Sequence, residues 1–174
     1  MEVIMTKNDR KNDLFANAMS NLMKDKFGIS IDLLNEILDA DSEDKLALLA
    51  RGSVYLKMGN TENAIDDFSR TIEIDPNHAK AFHLRGLARE KAGDDDEALK
   101  DFNRAIDIDP EYGAAYYSRA TLLIKIGWED SAADDMKMVA HLTNVNIESF
   151  ANENNIWRSR HLQMEGTLES EMQR

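Results

Sequence analysis

The chain has no cysteine among its 174 residues, and only two prolines and eight glycines. The absence of cysteine excludes disulfides, thiolate zinc sites and a cysteine nucleophile, and it fits a reducing compartment such as the cytoplasm. Few prolines and glycines leave little scope for strands joined by tight turns. No stretch reaches the roughly 20 apolar residues of a membrane span, and the N-terminus lacks the apolar run of a signal peptide. These absences favour a soluble, largely helical protein in the cytoplasm.

Positive charge is also scarce. Lysine and arginine number 21 against 33 aspartates and glutamates, which gives a formal net charge of -12. Binding to nucleic-acid phosphates requires a basic surface, and so does attraction to an anionic membrane. The sequence therefore predicts neither a nucleic-acid partner nor membrane insertion.

What the chain does contain is a repeat. The segment "EIDPNHAKAFHLRG" returns one period later as "DIDPEYGAAYYSRA", with Pro76 aligned on Pro110. This period defines three units, 45–78, 79–112 and 113–146. Each unit has an amphipathic stretch, a glycine, a polar or acidic turn and a second amphipathic stretch, which predicts two helices joined by a tight turn. The glycines that end the first helix of each unit are Gly59, Gly93 and Gly127.

Further signals place the ends of these helices and their packing. Pro76 and Pro110 stop the second helix of the first two units, because proline cannot continue a helix. Asp94 and Glu97 have the spacing of a capping box. Small residues at matching places predict a close approach of the two helices in each unit, with a large side chain filling the space toward the next unit. The small residues are Gly52, Gly86 and Ala120 with Ala64, Ala98 and Ala132, and the large ones are Phe68, Phe102 and Met136.

On these residues the units resemble tetratricopeptide repeats. The first aromatic position of that pattern is matched by Leu48, Phe82 and Tyr116, and the second by Tyr55 but only by Arg89 and Leu123. The closing proline is replaced by Asn144 in the last unit. The resemblance implies an all-α, right-handed superhelix of antiparallel helix pairs.

The same frame divides the whole chain. It predicts an N-terminal tail over 1–10, a degenerate repeat over 11–44, and then the three units. After them it predicts one or two capping helices over 147–165, where Ile147, Phe150, Ala151, Ile156 and Trp157 have helical spacing, and a frayed tail over 166–174.

Each unit also carries an arginine and an aspartate at constant spacing. An ion pair that bridges the two helices of a unit is the favoured interpretation, since the aspartates would neutralise the arginines. The alternative is a row of free arginines that holds an acidic ligand. The pairs are Arg51 with Asp67, Arg85 with Asp101, and Arg119 with Asp135.

The family resemblance implies that the first helix of each unit lines a concave groove that holds a partner segment. The residues not needed for packing then specify the ligand, and here they are rather apolar, which is typical of an interaction surface. They are Phe15 and Met19 in the first unit, Leu46, Leu49, Ser53 and Leu56 in the second, Lys80, His83, Leu87 and Glu90 in the third, and Tyr117, Thr121 and Ile124 in the fourth.

The best-known ligand of the family is the acidic C-terminal tail of heat-shock chaperones, which a clamp of lysines, asparagines and an arginine holds. When the clamp is counted from the second unit, its five places hold Leu49, Ser53, Leu84, Ala114 and Ser118. When it is counted from the first unit, they hold Phe15, Met19, Ala50, Lys80 and Leu84. At most one of the five matches, so the sequence argues against a chaperone-tail adaptor.

Three functional hypotheses remain. The first is a scaffold or adaptor that binds a peptide or helical segment of a partner protein. The second is a secretion-type chaperone that holds an aggregation-prone partner. The third is a self-associating array whose groove is covered by its own tail or by a second copy. No catalytic, metal-binding or cofactor-binding motif is present in the sequence, so we predict no enzyme activity and no cofactor.

Overall fold

The computed structural model describes residues 7–153 of the chain, and side chains within 8–146. Within that part the chain forms eight helices and the turns between them, with no strand. None of these helices is both long and apolar enough to cross a lipid bilayer. The helices are α1 (Lys7–Met23), α2 (Phe27–Ala40), α3 (Lys45–Met58), α4 (Thr61–Ile74), α5 (Ala79–Ala92), α6 (Asp95–Ile108), α7 (Gly113–Lys125) and α8 (Glu129–Glu153).

Each helix packs against the next along the chain, and four helix pairs stack in series to form the superhelix expected from the repeat. The backbones of α1 and α3, α3 and α5, and α5 and α7 also approach each other, whereas within the described residues no two even-numbered helices do. The odd-numbered helices therefore line the inner, concave side of the array, and the even-numbered helices form its outer side.

Left-handed glycines end the first helices of the last three pairs, as expected. Gly59, Gly93 and Gly127 have φ values of 83°, 93° and 84°, a conformation that side chains with a Cβ disfavour. Asp44 caps α3 by accepting a hydrogen bond from the Ala47 N–H at 2.9 Å, and it also pairs with Lys11 of α1. Burial alone would raise the pKa of this carboxyl, but the Lys11 and backbone hydrogen bonds outweigh it and the pKa is lowered.

The capping box predicted for α6 is wrong. Asp94 precedes the helix, but its side chain makes no capping hydrogen bond. Glu97 pairs instead with Lys100, three residues further along the same helix, and lies 3.8 Å from Arg89. The two cations compete successfully for the carboxylate that would otherwise reach back to the N-terminus of the helix.

Two helix boundaries also differ from the sequence expectation. α1 begins at Lys7 rather than at residue 11, so part of the segment expected to be a tail is helical, and Asp9 gives this first turn a favourable negative charge. α8 runs without a break from Glu129 to Glu153, across the boundary expected between residues 146 and 147. Asn144 replaces the closing proline there, and no proline or glycine interrupts the helix. The rest of the predicted capping segment and the predicted frayed tail lie outside the described residues.

The two helices of the second and third pairs meet at a glycine packed against a phenylalanine. The rings of Phe68 and Phe102 are fully buried. A Cβ added to Gly52 or Gly86 would lie 2.6 Å from the nearest ring carbon, which is closer than any real Cβ contact. In the last pair the corresponding residues are Ala120 and Met136. Alanine is larger than glycine, and the methionine side chain opposite it is more flexible than a phenylalanine ring.

We expect Gly86→Ala to lower the free energy of unfolding by about 1–3 kcal/mol, because the added Cβ would lie 2.6 Å from the fully buried Phe102 ring and force it to shift. Urea unfolding measures the change. Gly28→Ala serves as the control, since a Cβ there meets nothing within 4 Å, and this variant should be unchanged or slightly stabilised. Equal stability of the Gly86→Ala protein and the wild type would contradict this account of the close approach.

Candidate functional site

The inner wall of the array is formed by α3, α5 and α7, which contribute the groove residues predicted in the last three units. Of these, Leu46, Tyr117 and Ile124 are the large apolar side chains that remain exposed, at 61%, 53% and 57%. The inner-wall residues Lys80 and Thr121 are also exposed, and the half-buried ones are Ser53, Leu56, Leu87 and Glu90. Phe15 and Met19 of α1 are half-buried and pack on the core between the first two pairs.

Two of the predicted groove residues are buried and do not face a partner. Leu49 and His83 are each only 7% exposed. Leu49 packs in one cluster with Ala81 and Ala88 of the following odd-numbered helix, which covers it. Tyr117 occupies the same place in the last unit and is exposed, because within the described residues no further helix follows α8.

His83 instead forms a polar bridge between the third and fourth units. Its Nδ1 lies 3.0 Å from the Tyr112 hydroxyl, and its Nε2 lies 2.9 Å from the Ser118 hydroxyl. A neutral imidazole donates from one nitrogen and accepts at the other, so both hydroxyls can be satisfied. Burial, with a smaller effect from the charge of Lys80, lowers the pKa of His83 to about 4. Burial also raises the pKa of the Tyr112 hydroxyl, with a further contribution from Asp109.

Glu90 is the only acidic side chain among the predicted groove residues. It is half-buried, and burial raises the pKa of its carboxyl; Lys125 opposes this rise and Asp95 adds to it. Lys125 is bonded at 2.6 Å to Asp95 rather than to Glu90. The predicted groove residues therefore combine exposed apolar side chains with one half-buried carboxylate, that of Glu90, and one exposed amine, that of Lys80.

The arginines form the interhelical ion pairs that the sequence favours. Arg51 binds Asp67 through two bonds of 2.9 and 2.6 Å. The same two-bond geometry joins Arg85 to Asp101 at 2.9 and 2.8 Å, and Arg119 to Asp135 at 2.8 and 2.6 Å. The aspartates are nearly buried, so these arginines are structural and are not free to hold an acidic ligand.

Each arginine also reaches the preceding helix pair, a contact that sequence reasoning missed. Arg51 donates to Asn35 at 2.7 Å, and Arg119 donates to Asn103 at 2.7 Å. Arg85 makes the equivalent bond to Ser69 at 3.2 Å. The three acceptors recur in the sequence with the same period as the arginines. This regularity is the feature from which the contact could have been predicted. Each guanidinium therefore ties together three helices from two successive pairs.

Two open clefts lie at the ends of the array. One of about 600 Å³ lies between α1 and α2, and its lining combines apolar residues such as Leu14 and Ile37 with charged ones such as Arg10 and Glu36. The other, of about 440 Å³, lies between α7 and α8 and is lined by Tyr117, Ser118, Val139 and Leu142 among others. The second cleft continues the exposed apolar surface of the inner wall at Tyr117.

Solved structures with this arrangement include a crystal structure of MamA, 20% identical over 82% of this chain and 83% of that one, with a TM-score of 0.72. MamA from Desulfovibrio magneticus RS-1 is 19% identical over 80% of this chain and 78% of that one, with a TM-score of 0.70. The first tetratricopeptide domain of Spaghetti (RPAP3), bound to the HSP90 peptide SRMEEVD, is 21% identical over 71% and 98%, with a TM-score of 0.64. At these identities the likeness concerns the fold alone.

Among curated proteins none matches this chain. The sequence profile described as "Tetratricopeptide repeat" matches residues 16–79 and 49–113, which together make up more than half of the chain. With the regular sequence period, the left-handed glycines and the stacked helix pairs, this match establishes that the chain belongs to the tetratricopeptide repeat family, a family of protein-interaction repeats.

Proposed function

We propose that the inner wall binds a segment of a partner protein that carries apolar side chains. The observation that carries this proposal is the exposure of Leu46, Tyr117 and Ile124 on one side of the array. Large apolar side chains grouped on a concave face are typical of an interaction surface, and stacked repeats provide extended faces of this kind. The function is then that of a scaffold or adaptor without catalytic activity, and the lack of cysteine is consistent with a cytoplasmic site of action.

An acidic chaperone tail is not the ligand that this wall favours. RPAP3 is bound to an HSP90 peptide in its structure, but this chain lacks the cationic clamp at the corresponding places. Leu49 and Ser118, which stand at two of those places, are buried. The wall offers apolar contacts and the half-buried carboxylate of Glu90, which suit a segment with spaced apolar residues and a lysine or arginine between them.

Affinity capture tests the proposal, with Leu46→Glu/Tyr117→Glu as the altered wall. Leu49→Glu would be a poor choice, because Leu49 is buried and the charge would disturb folding. Met58→Glu is the matched control, since Met58 is 49% exposed but is not among the inner-wall residues. We expect the double variant to bind the captured partner segment at least tenfold more weakly in titration calorimetry, because contacts of this kind contribute about 1 kcal/mol or more each.

The result separates the hypotheses. Unchanged binding by a folded Leu46→Glu/Tyr117→Glu protein would show that the inner wall is not the binding site. A partner that precipitates without this protein and stays in solution with it would favour the secretion-type chaperone. Absence of any captured partner, with wild-type and variant proteins behaving alike, would favour a groove covered by the protein's own tail or by a second copy.

A further inference from the structure

Glu90 is a carboxylate at a place where the neighbouring units have apolar residues. It lies on α5, the middle helix of the inner wall, and the same place holds Leu56 on α3 and Ile124 on α7. The side chain of Glu90 is half-buried. Because leucine and isoleucine are compatible with this place in the array, packing of the repeat does not require a charge there.

The charge is also unfavourable for the helix that carries it. Glu90 lies in the last turn of α5, and the C-terminal end of a helix has a partial negative charge. Partial burial removes water from the carboxylate and raises its pKa, and the charge of Asp95 adds to this rise. Lys125 lies beyond ion-pair distance of Glu90 and opposes the rise only through its charge. The Glu90 side chain makes no hydrogen bond and no ion pair with any residue that the structure describes.

The cations around Glu90 are engaged by other groups. Lys125 is paired at 2.6 Å with the first residue of α6. Arg89 donates to a buried aspartate of α6 at 2.6 Å, and Lys91 donates to a carbonyl in the last turn of α3 at 3.1 Å. Lys80, the exposed amine of the inner wall, lies ten residues earlier on α5, or about 15 Å along the helix. Among residues 7–153 the carboxylate therefore has no cation of its own.

We propose that Glu90 determines which segments the inner wall binds, by pairing with a lysine or arginine side chain that lies between apolar residues of the segment. This inference rests on the proposed function, because it concerns the same wall. An ion pair at a half-buried carboxylate is shielded from water and is stronger than one on an open surface. The formal net charge of -12 also attracts cationic segments toward the protein before they bind.

The surroundings of Glu90 suit the stem of such a side chain as well as its charge. Leu56 and Ile124 hold the equivalent places on the two neighbouring helices of the wall, and Leu87 lies one turn before Glu90 on α5. Lysine and arginine pack their aliphatic stems along apolar surface while the charged head reaches a polar group. An acidic side chain of the segment would instead meet Glu90, Asp95 and the negative end of α5. The wall therefore favours basic apolar segments and repels acidic ones.

Selection from a peptide library tests this inference. A phage-displayed library of random linear peptides is selected in parallel on the wild type, Glu90→Gln, Glu90→Lys and Glu62→Gln. Glu62 is exposed on the outer helix α4, so Glu62→Gln is a matched control that changes the net charge equally outside the wall. We expect lysine or arginine between apolar residues in peptides selected on the wild type and on Glu62→Gln. This cation should be lost on Glu90→Gln and replaced by aspartate or glutamate on Glu90→Lys.

Titration calorimetry with one selected lysine-containing peptide, made synthetically, measures the contact itself. Norleucine in place of that lysine keeps the stem and removes the charge. We expect this replacement and Glu90→Gln each to weaken binding about tenfold, because a hydrogen bond between charged groups is lost. Both changes together should weaken binding hardly more than either one, which is the result that direct pairing gives. Two losses that multiply would overturn the pairing.

Urea unfolding of the free proteins separates this role from a structural one. Without a partner, Glu90→Gln should be at least as stable as the wild type, because it removes a charge that is unfavourable at this end of α5. A clear loss of stability would show that a cation of the chain itself pairs with Glu90, and it would overturn the inference.

Failure of the inference differs from failure of the proposed function. Peptides that are enriched on the wild type and lost on Leu46→Glu/Tyr117→Glu, but without a cation that depends on Glu90, would overturn only the role of Glu90. Peptides enriched equally on the wild type and on Leu46→Glu/Tyr117→Glu would overturn both, because their binding site would lie outside the inner wall. Absence of any enrichment on the wild type would overturn both as well.

Discussion

Asp101→Ala is expected to lower the free energy of unfolding by about 3–5 kcal/mol, the largest effect of any single substitution considered for this protein. Asp101 is 3% exposed and accepts bonds from two arginines, from Arg85 at 2.9 and 2.8 Å and from Arg89 at 2.6 Å. The side chains of Arg85 and Arg89 are only 15% and 20% exposed. Removing the aspartate leaves two poorly hydrated guanidinium groups without their counter-charge.

Urea or thermal unfolding of the purified variants measures this effect. Asp134→Ala is the matched control: Asp134 lies on α8, its side chain is 75% exposed, and its partner Lys137 is on the same exposed surface. Exposed pairs contribute little, so this control should unfold almost like the wild type. Similar stability of the Asp101→Ala and Asp134→Ala proteins would show that the arginine–aspartate pairs do not hold the array together.

The same pairs connect stability to binding. Each arginine bonds to its own helix pair and also to the preceding one, at Asn35, Ser69 or Asn103. These contacts hold each inner-wall helix against the outer helix of the preceding pair. A wall held in place by such contacts would lose less conformational freedom on binding the partner segment proposed above, which favours affinity.

The sequence was sufficient to predict the fold because independent signals recur at one period along the chain, although the last unit lacks the closing proline and the glycine–phenylalanine contact. The glycines that end the first helices, the prolines after the second helices and the glycine–phenylalanine contacts all have local causes. Gly93, for example, adopts a left-handed conformation for reasons contained in its own turn. Local causes of this kind are readable from one sequence.

The site was less predictable because exposure depends on neighbours rather than on position in the repeat. Leu49 and Tyr117 occupy the same place in their units, yet Leu49 is 7% exposed and Tyr117 is 53% exposed. The exposures differ because α5 covers Leu49, whereas within the described residues no further helix covers Tyr117. In the same way, the Glu97 side chain was expected to reach back toward Asp94, but the nearby cations Lys100 and Arg89 determine its direction.

Lowering the pH is expected to weaken the protein through His83, since its bridge to Tyr112 and Ser118 requires a neutral imidazole. The pKa of His83 is lowered to about 4 in the folded state, whereas an unfolded histidine has a pKa of about 6.5. Between these values the unfolded chain binds more protons, so stability falls as the pH falls. The contribution is fully present above pH 6.5 and decreases through the window down to pH 4. Its total size is about 3 kcal/mol, of which about 2 kcal/mol is lost between pH 7 and pH 5.

Urea unfolding at pH 7 and pH 5 isolates this contribution when wild type is compared with His83→Gln. A glutamine can hydrogen-bond to both hydroxyls but does not titrate, so the variant should lose about 2 kcal/mol less than the wild type over this interval. His141→Gln is the control, because His141 is exposed on α8 and should leave the wild-type dependence unchanged. If His83→Gln and wild-type proteins lose stability equally between pH 7 and pH 5, the imidazole is not held neutral by burial.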